Sequence, residues 1–82
     1  MNEKELQIAE RLKELLCENL GIEPEMLTND IALFGDGIGL DSIDSLEMIA
    51  VIDKEFGVSM TGVDKENFFN VASLTKYIAD HQ

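Results

Sequence analysis

From Asn2 to Leu20 the apolar residues Leu6, Ala9, Leu12, Leu16 and Leu20 recur every three or four positions, with Glu, Lys and Arg between them. That spacing lays them along one stripe of a helix, so the chain is predicted to open with an amphipathic helix. Gly21 suits its C-terminal end and Pro24 blocks simple continuation. The next stretch, Gly21 to Leu40, has neither a helical nor an alternating period. It holds Pro24, Asn29, Asp30 and glycines at 21, 35, 37 and 39, residues that punctuate turns. A long ordered loop is predicted, with one helical turn around Pro24 to Leu27, and with Met26, Leu27, Ile31, Leu33 and Phe34 pinning it to the core. A loop of this length in so small a chain tends to be functional.

Helical spacing returns at Asp41 and runs to Phe56, with Asp41 as N-cap and Gly57 as the stop. The segment "VSMTGVDKENFFN" offers only a short, weakly specified turn of helix from Asp64 to Phe69. Asn70 can cap a final helix through Ala79, with Val71, Leu74, Tyr77 and Ile78 facing inward. No strand alternation and no internal repeat stands out. The expected fold is all-α: a small four-helix bundle with a long loop between helices 1 and 2 and a short third helix. Eighty-two residues can bury one modest core, so residues 1–82 are read as a single domain with no room for a large catalytic cleft.

Charge narrows the functions open to it. Seventeen Asp and Glu against six Lys and Arg give a net charge of −11. Such a field repels nucleic acid and anionic membrane surfaces, and favours basic protein surfaces or cations as partners. No apolar run approaches the roughly 20 residues that span a bilayer, and "MNEKELQIAERL" begins with charges instead of a signal-peptide core. A cytoplasmic monomer that neither binds nucleic acid nor inserts into membranes is the expectation. The single cysteine, Cys17, lies in the first helix as a small core residue. The lone histidine, His81, is next to last, where chain ends fray.

The second helix carries more apolar surface than a core requires. At roughly 100° per residue, Met48, Ser45, Ile52, Phe56 and Ile49 share one arc, the core face. Ile43, Leu46 and Ala50 gather on a separate arc, divided from the first by Ser42 and Asp53 and flanked by Lys54 and Glu47. Burial on two sides is one explanation; an apolar ridge rimmed by carboxylates that docks a basic partner is the other. Ser42 falls at the helix start on the boundary between the arcs and should be accessible, whereas Ser45 should be tucked inward. Capping is the usual reason for a serine there, but Asp41 fills that role. Nucleophilic catalysis needs a positioned base, and "GLDSI" lacks the G-x-S-x-G elbow. Ser42 is therefore read as a substrate for modification. A phosphate ester at the first turn would meet free backbone N–H groups and the positive end of the dipole, opposed by Asp41 and Asp44.

These residues carry a family resemblance. The stretch "GLDSIDSLEMIAVIDKEFGVSM" resembles the second-helix signature of acyl carrier proteins, an Asp-Ser-Leu motif followed by an acid, spaced apolar positions and a Glu-Phe pair. Asp41, Ser42 and Ile43 stand in that motif, with Ile in place of Leu. The opening helix, the "LFGDGIGLD" loop and the closing "NVASLTKYIADH" are similar to the family pattern in order and spacing, so the resemblance covers nearly the whole chain. It implies a non-catalytic carrier. A carrier protein synthase, that is a phosphopantetheinyl transferase, would move 4′-phosphopantetheine from coenzyme A onto Ser42. Acyl intermediates of fatty acid, polyketide or related biosynthesis would ride on the arm as thioesters. Acyl-processing enzymes with basic patches would dock on Ile43, Asp44, Leu46, Glu47, Ala50, Asp53 and Lys54. Two departures stand out. Lys54 occupies a place where many fatty-acid carriers have a second acid. Phe68 and Phe69 stand where smaller aliphatics are common, filling the core or reshaping a pocket for a short or aromatic acyl group.

Two other readings compete. Asp36 to Glu47 has acids at both ends of an EF-hand frame, but Ile38 and Leu40 stand where oxygen ligands belong and Asp41 replaces the required glycine. No metal site is expected beyond weak, peripheral cation binding by clustered carboxylates. An adaptor bundle would use the same ridge and leave Ser42 unmodified. A peptidyl carrier domain is the nearest rival among carriers, although such domains are usually embedded in longer chains and less acidic.

Overall fold

The computed structural model describes residues 1–82. Three α-helices, α1 (Glu3–Leu20), α2 (Ser42–Phe56) and α3 (Val71–His81), alternate with two short 3-10 turns at Pro24–Met26 and Lys65–Phe68. There is no strand, only an isolated bridge between Phe34 and Leu40.

Helix α1 starts at a reciprocal cap: the Asn2 side chain accepts from the Glu5 N–H at 2.8 Å, and the Glu5 carboxylate accepts from the Asn2 N–H at 3.0 Å. Its inner face is Ile8, Ala9, Leu12, Leu15 and Leu16. Leu6, expected on that stripe, is half exposed. On the helical wheel it lies beyond the edge of the arc those five residues span, while Ile8 and Leu15 fall within it. Cys17 and Leu20 pack against the core without full burial.

The 21–40 segment is an ordered loop held to the rest by its own side chains and backbone. Ile22, Leu27 and Leu33 are buried, and Ile31 and Phe34 pack against them. Met26 does not pin the loop as expected: it ends the first 3-10 turn and points to solvent, because Leu27 takes the inward place next to it. The Leu33 N–H donates to the Phe69 carbonyl at 2.9 Å and the Ala72 N–H to the Asn29 carbonyl at 3.0 Å, which ties the loop to the start of α3. Within the loop, the Ile38 and Leu40 N–H groups donate to the carbonyls of Ala32 and Leu33, each at 2.9 Å. This double-back brings the backbone so close that a Cβ on Gly37 would lie 1.8 Å from the Ala32 carbonyl oxygen. Only glycine fits there.

Gly57 ends α2 in the left-handed conformation, φ 68°, which other residues enter at a cost. The chain then continues without regular structure into a turn at Thr61, with Val58 and Met60 buried and Ser59 and Thr61 exposed. The expected short third helix is a single 3-10 turn. Its bonds are i to i+3, Asn67 N–H to Asp64 carbonyl and Phe69 N–H to Glu66 carbonyl. Asn70, extended at φ −151° as the N-cap of α3, closes off any extension toward the C-terminus. The bundle therefore has three α-helices, not four. Helix α3 runs two residues past Ala79, where the His81 ring stacks on Tyr77 with centroids 3.9 Å apart, so His81 is held, not frayed.

Helix α1 is the hub. It packs most extensively on α3 and also on α2, and Arg11 forks onto Glu55 of α2 at 3.1 and 3.3 Å. Met48 and Ile52 of α2 and Val71, Leu74 and Ile78 of α3 are fully buried. Helix α2 makes no extensive contact with α3 or with the second 3-10 turn. A gap stays open on that side. No helix is long and apolar enough to cross a membrane.

Candidate functional site

Asp41 is extended at φ −118° and its Oδ1 accepts from the N–H groups of Ile43 and Asp44, both at 3.0 Å. Asp44 returns the bond by accepting from the Asp41 N–H at 3.0 Å. These bonds, the Asp44 N–H foremost, hold the Asp41 carboxyl below the usual carboxylate range, because they favour the ionised form. The cap therefore takes two of the amides that a phosphate at the first turn was expected to meet, those of Ile43 and Asp44.

Ser42 is the first residue of α2, exposed, and the cap does not need its hydroxyl. Ser45, one turn along, is half-buried and donates its hydroxyl to the Ser42 carbonyl at 2.7 Å. The two serines thus differ as expected, one free to react and one bonded to the helix.

Both line an apolar cleft of about 580 Å³ in the gap between α2 and the second 3-10 turn. Leu40 and Ile49, Phe34 and Met60, and Val63, Phe68 and Phe69 line it, with Lys65 also among the lining residues. Phe68 packs against the core. Phe69 does not: it is 58% exposed, while its backbone carbonyl accepts from the Leu33 N–H. Sequence reasoning missed Lys65, Val63 and Met60 as lining residues. Val58 and Met60 alternate with Ser59 and Thr61, but no pattern in that segment named the opposite wall.

The outer strip of α2 is as apolar as its wheel implies. Ile43 is 74% exposed and Leu46 67%, and Ala50, Glu47, Asp53 and Lys54 are also exposed. Asp44 is half-buried because it closes the cap. Lys54 sits twelve positions beyond Ser42, about 18 Å along the axis at the usual helical rise, so it and Ser42 mark opposite ends of the strip. The partner of Glu55 was not foreseen, since the contact with Arg11 depends on how α1 and α2 cross. No group of three or more His, Cys, Asp or Glu side chains is arranged to hold a metal ion.

Residues 10–78 match the family model described as "Phosphopantetheine attachment site". The chain is also 36% identical over 72 residues to the acyl carrier protein of Rhodopseudomonas palustris (strain TIE-1), an alignment that covers 88% of this chain and 90% of that protein. The chain belongs to the acyl carrier protein family. The acyl carrier protein of Nitrobacter winogradskyi matches at the same identity and coverage. Members of this family are carriers rather than catalysts, and the matched model implies attachment of phosphopantetheine. The structure accommodates such a group: an exposed hydroxyl lies on the lining of an apolar cleft that Lys65 also lines.

Proposed function

We propose that this acyl carrier protein bears its arm on Ser42 and shuttles acyl intermediates of fatty acid, polyketide or related biosynthesis between enzymes in the cytoplasm. The observation that carries this reading is the division of labour at the start of α2. Asp41 and Asp44 complete the cap between themselves, which leaves the Ser42 hydroxyl exposed and uncommitted on the cleft lining. A phosphopantetheinyl transferase would supply the base and metal that this chain lacks for activating that hydroxyl. Its transfer forms the bond from Ser42 Oγ to phosphorus, breaks the pyrophosphate bond of coenzyme A and releases adenosine 3′,5′-bisphosphate. The bound arm contributes a terminal thiol that holds acyl groups as thioesters.

The chain's own residues do the rest. Asp41 fixes the helix start and so the direction in which Ser42 projects. The Ile43, Leu46 and Ala50 strip offers apolar contact, and Asp44, Glu47 and Asp53 give the negative rim that basic patches on the transferase and on acyl-processing enzymes would seek. Lys54 at the far end penalises a partner that is basic along its whole length, which sharpens partner choice by repulsion. Exposed charges of this kind set encounter rate and orientation more than binding strength, which suits a carrier that must leave each enzyme.

The test is to incubate the chain with coenzyme A, Mg²⁺ and a broad-specificity transferase, then record intact mass and map the modified peptide. One phosphopantetheine on Ser42 is expected, and none on Ser42→Ala with the fold retained. Absence of any addition to a folded chain would leave an adaptor that uses the same strip, and addition at Ser45 would overturn the assignment of Ser42.

A further inference from the structure

The cleft beside Ser42 has an aromatic character that carriage of a saturated chain does not call for. Phe34, Phe68 and Phe69 contribute rings to its walls, Met60 contributes a thioether, and Lys65 is also among the lining residues. Lys65 is in none of the ion pairs, which run from Arg11 and Lys13. Phe69 is the informative one. It is a large apolar side chain that the fold leaves 58% exposed, on backbone that is tied to the loop because its carbonyl accepts the Leu33 N–H at 2.9 Å. A ring that its own chain covers only in part, on the lining of a cleft, is a surface open to a contact.

We infer that this cleft selects acyl groups bearing a flat, π-rich end, an aryl or aryl-conjugated acid, over saturated chains of equal carbon number. The inference rests on Ser42 as the attachment point, which lies on the same cleft.

Three physical effects favour a flat cargo. Offset or edge-on contacts between rings add to plain area burial, and a methionine sulfur at a ring edge adds a further favourable contact. The cleft opens to solvent at Ser42 and at Phe69, so it buries only part of whatever enters. A saturated chain would surrender torsional freedom along its length for that partial burial, whereas a conjugated group is already rigid and places its broad face on the Phe walls. The unpaired ammonium of Lys65 can also sit over an aromatic face, and a saturated chain offers it nothing.

The experiment loads the full chain with cinnamoyl-phosphopantetheine or nonanoyl-phosphopantetheine from the matching coenzyme A thioesters, nine acyl carbons in each case. Intact mass and peptide mapping first confirm loading at Ser42. The melting temperatures of the two forms are then compared, and contacts between the cargo and the Phe69 ring are read by NMR. The cinnamoyl form is expected to melt about 4 °C above the nonanoyl form, with cross-peaks from its ring protons to Phe69. Phe69→Ala, with each loaded form referred to the same variant unloaded, is expected to abolish that difference. Equal or greater stabilisation by nonanoyl would overturn the selectivity, as would a difference that survives Phe69→Ala. Failure of either thioester to load at Ser42 would instead overturn the attachment reading, and the selectivity with it.

Discussion

The two apolar faces of α2 are built from similar side chains and sit in opposite environments. Met48 and Ile52 are fully buried against α1 and the loop, whereas Ile43 and Leu46, a quarter-turn or more away, stand in solvent at 74% and 67% exposure. Burial of a side chain that size stabilises a fold by about 1.5–3 kcal/mol, and the outer pair forgoes it. The contrast separates what the helix does for the fold from what it offers a visitor, and shows that one amphipathic count cannot capture a helix with two duties.

Breaking the inner face should have the largest effect. Ile52→Ala removes three carbons from a site with no access to water and is expected to lower unfolding free energy by about 2–5 kcal/mol in urea titration. Gly37→Ala comes next. Its added carbon meets the Ala32 carbonyl oxygen at 1.8 Å, so the loop backbone must shift, and a loss of about 2 kcal/mol is expected. Amide shifts should change most at Ile38 and Leu40, whose N–H groups make the adjacent bonds; a variant as stable as the parent would show that the double-back is not rigid.

The cap between the two faces gives a pH prediction. Asp41 is held below its ordinary value by the N–H groups it accepts, so it binds its proton more readily in the unfolded chain. Its contribution to stability is present above the unfolded value and is lost as pH falls through the folded one. Between about pH 5 and 3, Asp41→Asn should lose less stability on acidification than the parent chain. Comparing the pair is necessary because protonation elsewhere relieves the repulsion of a −11 chain. Parallel melting curves for the two would rule the cap out as the pH-sensitive element. The smallest effect on stability belongs to the outer face: Leu46→Ala is expected to change unfolding free energy by no more than about 0.5 kcal/mol while raising the transferase KM for this carrier. A large loss of stability would mean that the strip is core after all.

Much of this was legible because it depends on neighbours within one helix. The N-caps at Asp41 and Asn70, the stop at Gly57, the separation of Ser42 from Ser45 and the exposure of Ile43, Leu46 and Ala50 all follow from positions a few residues apart. What escaped depends on how distant segments meet. The second 3-10 turn did not become a helix because Asn70 claims the extended geometry of the next cap. Phe69 is left largely exposed on backbone held by a loop residue nearly forty positions earlier, a pairing that no local pattern shows. Gly37 looked like any flexible glycine, yet its constraint is the approach of Ala32. The cleft itself is the space left where α2 fails to meet the second 3-10 turn, and no local pattern records a gap.

The hydrogen bonds from Leu33 to Phe69 and from Ala72 to Asn29 also set an order of events. They join the segment just before Ser42 to residues in the last quarter of the chain, so a growing polypeptide that has emerged only as far as α2 has nothing to anchor that segment against. Local helical turns can form at once, but contacts across so many intervening residues must wait for loop closure. The serine is thus presented in its final setting only after Phe69 and Ala72 have emerged and docked on the loop, which makes its correct presentation a report that these distant segments have met.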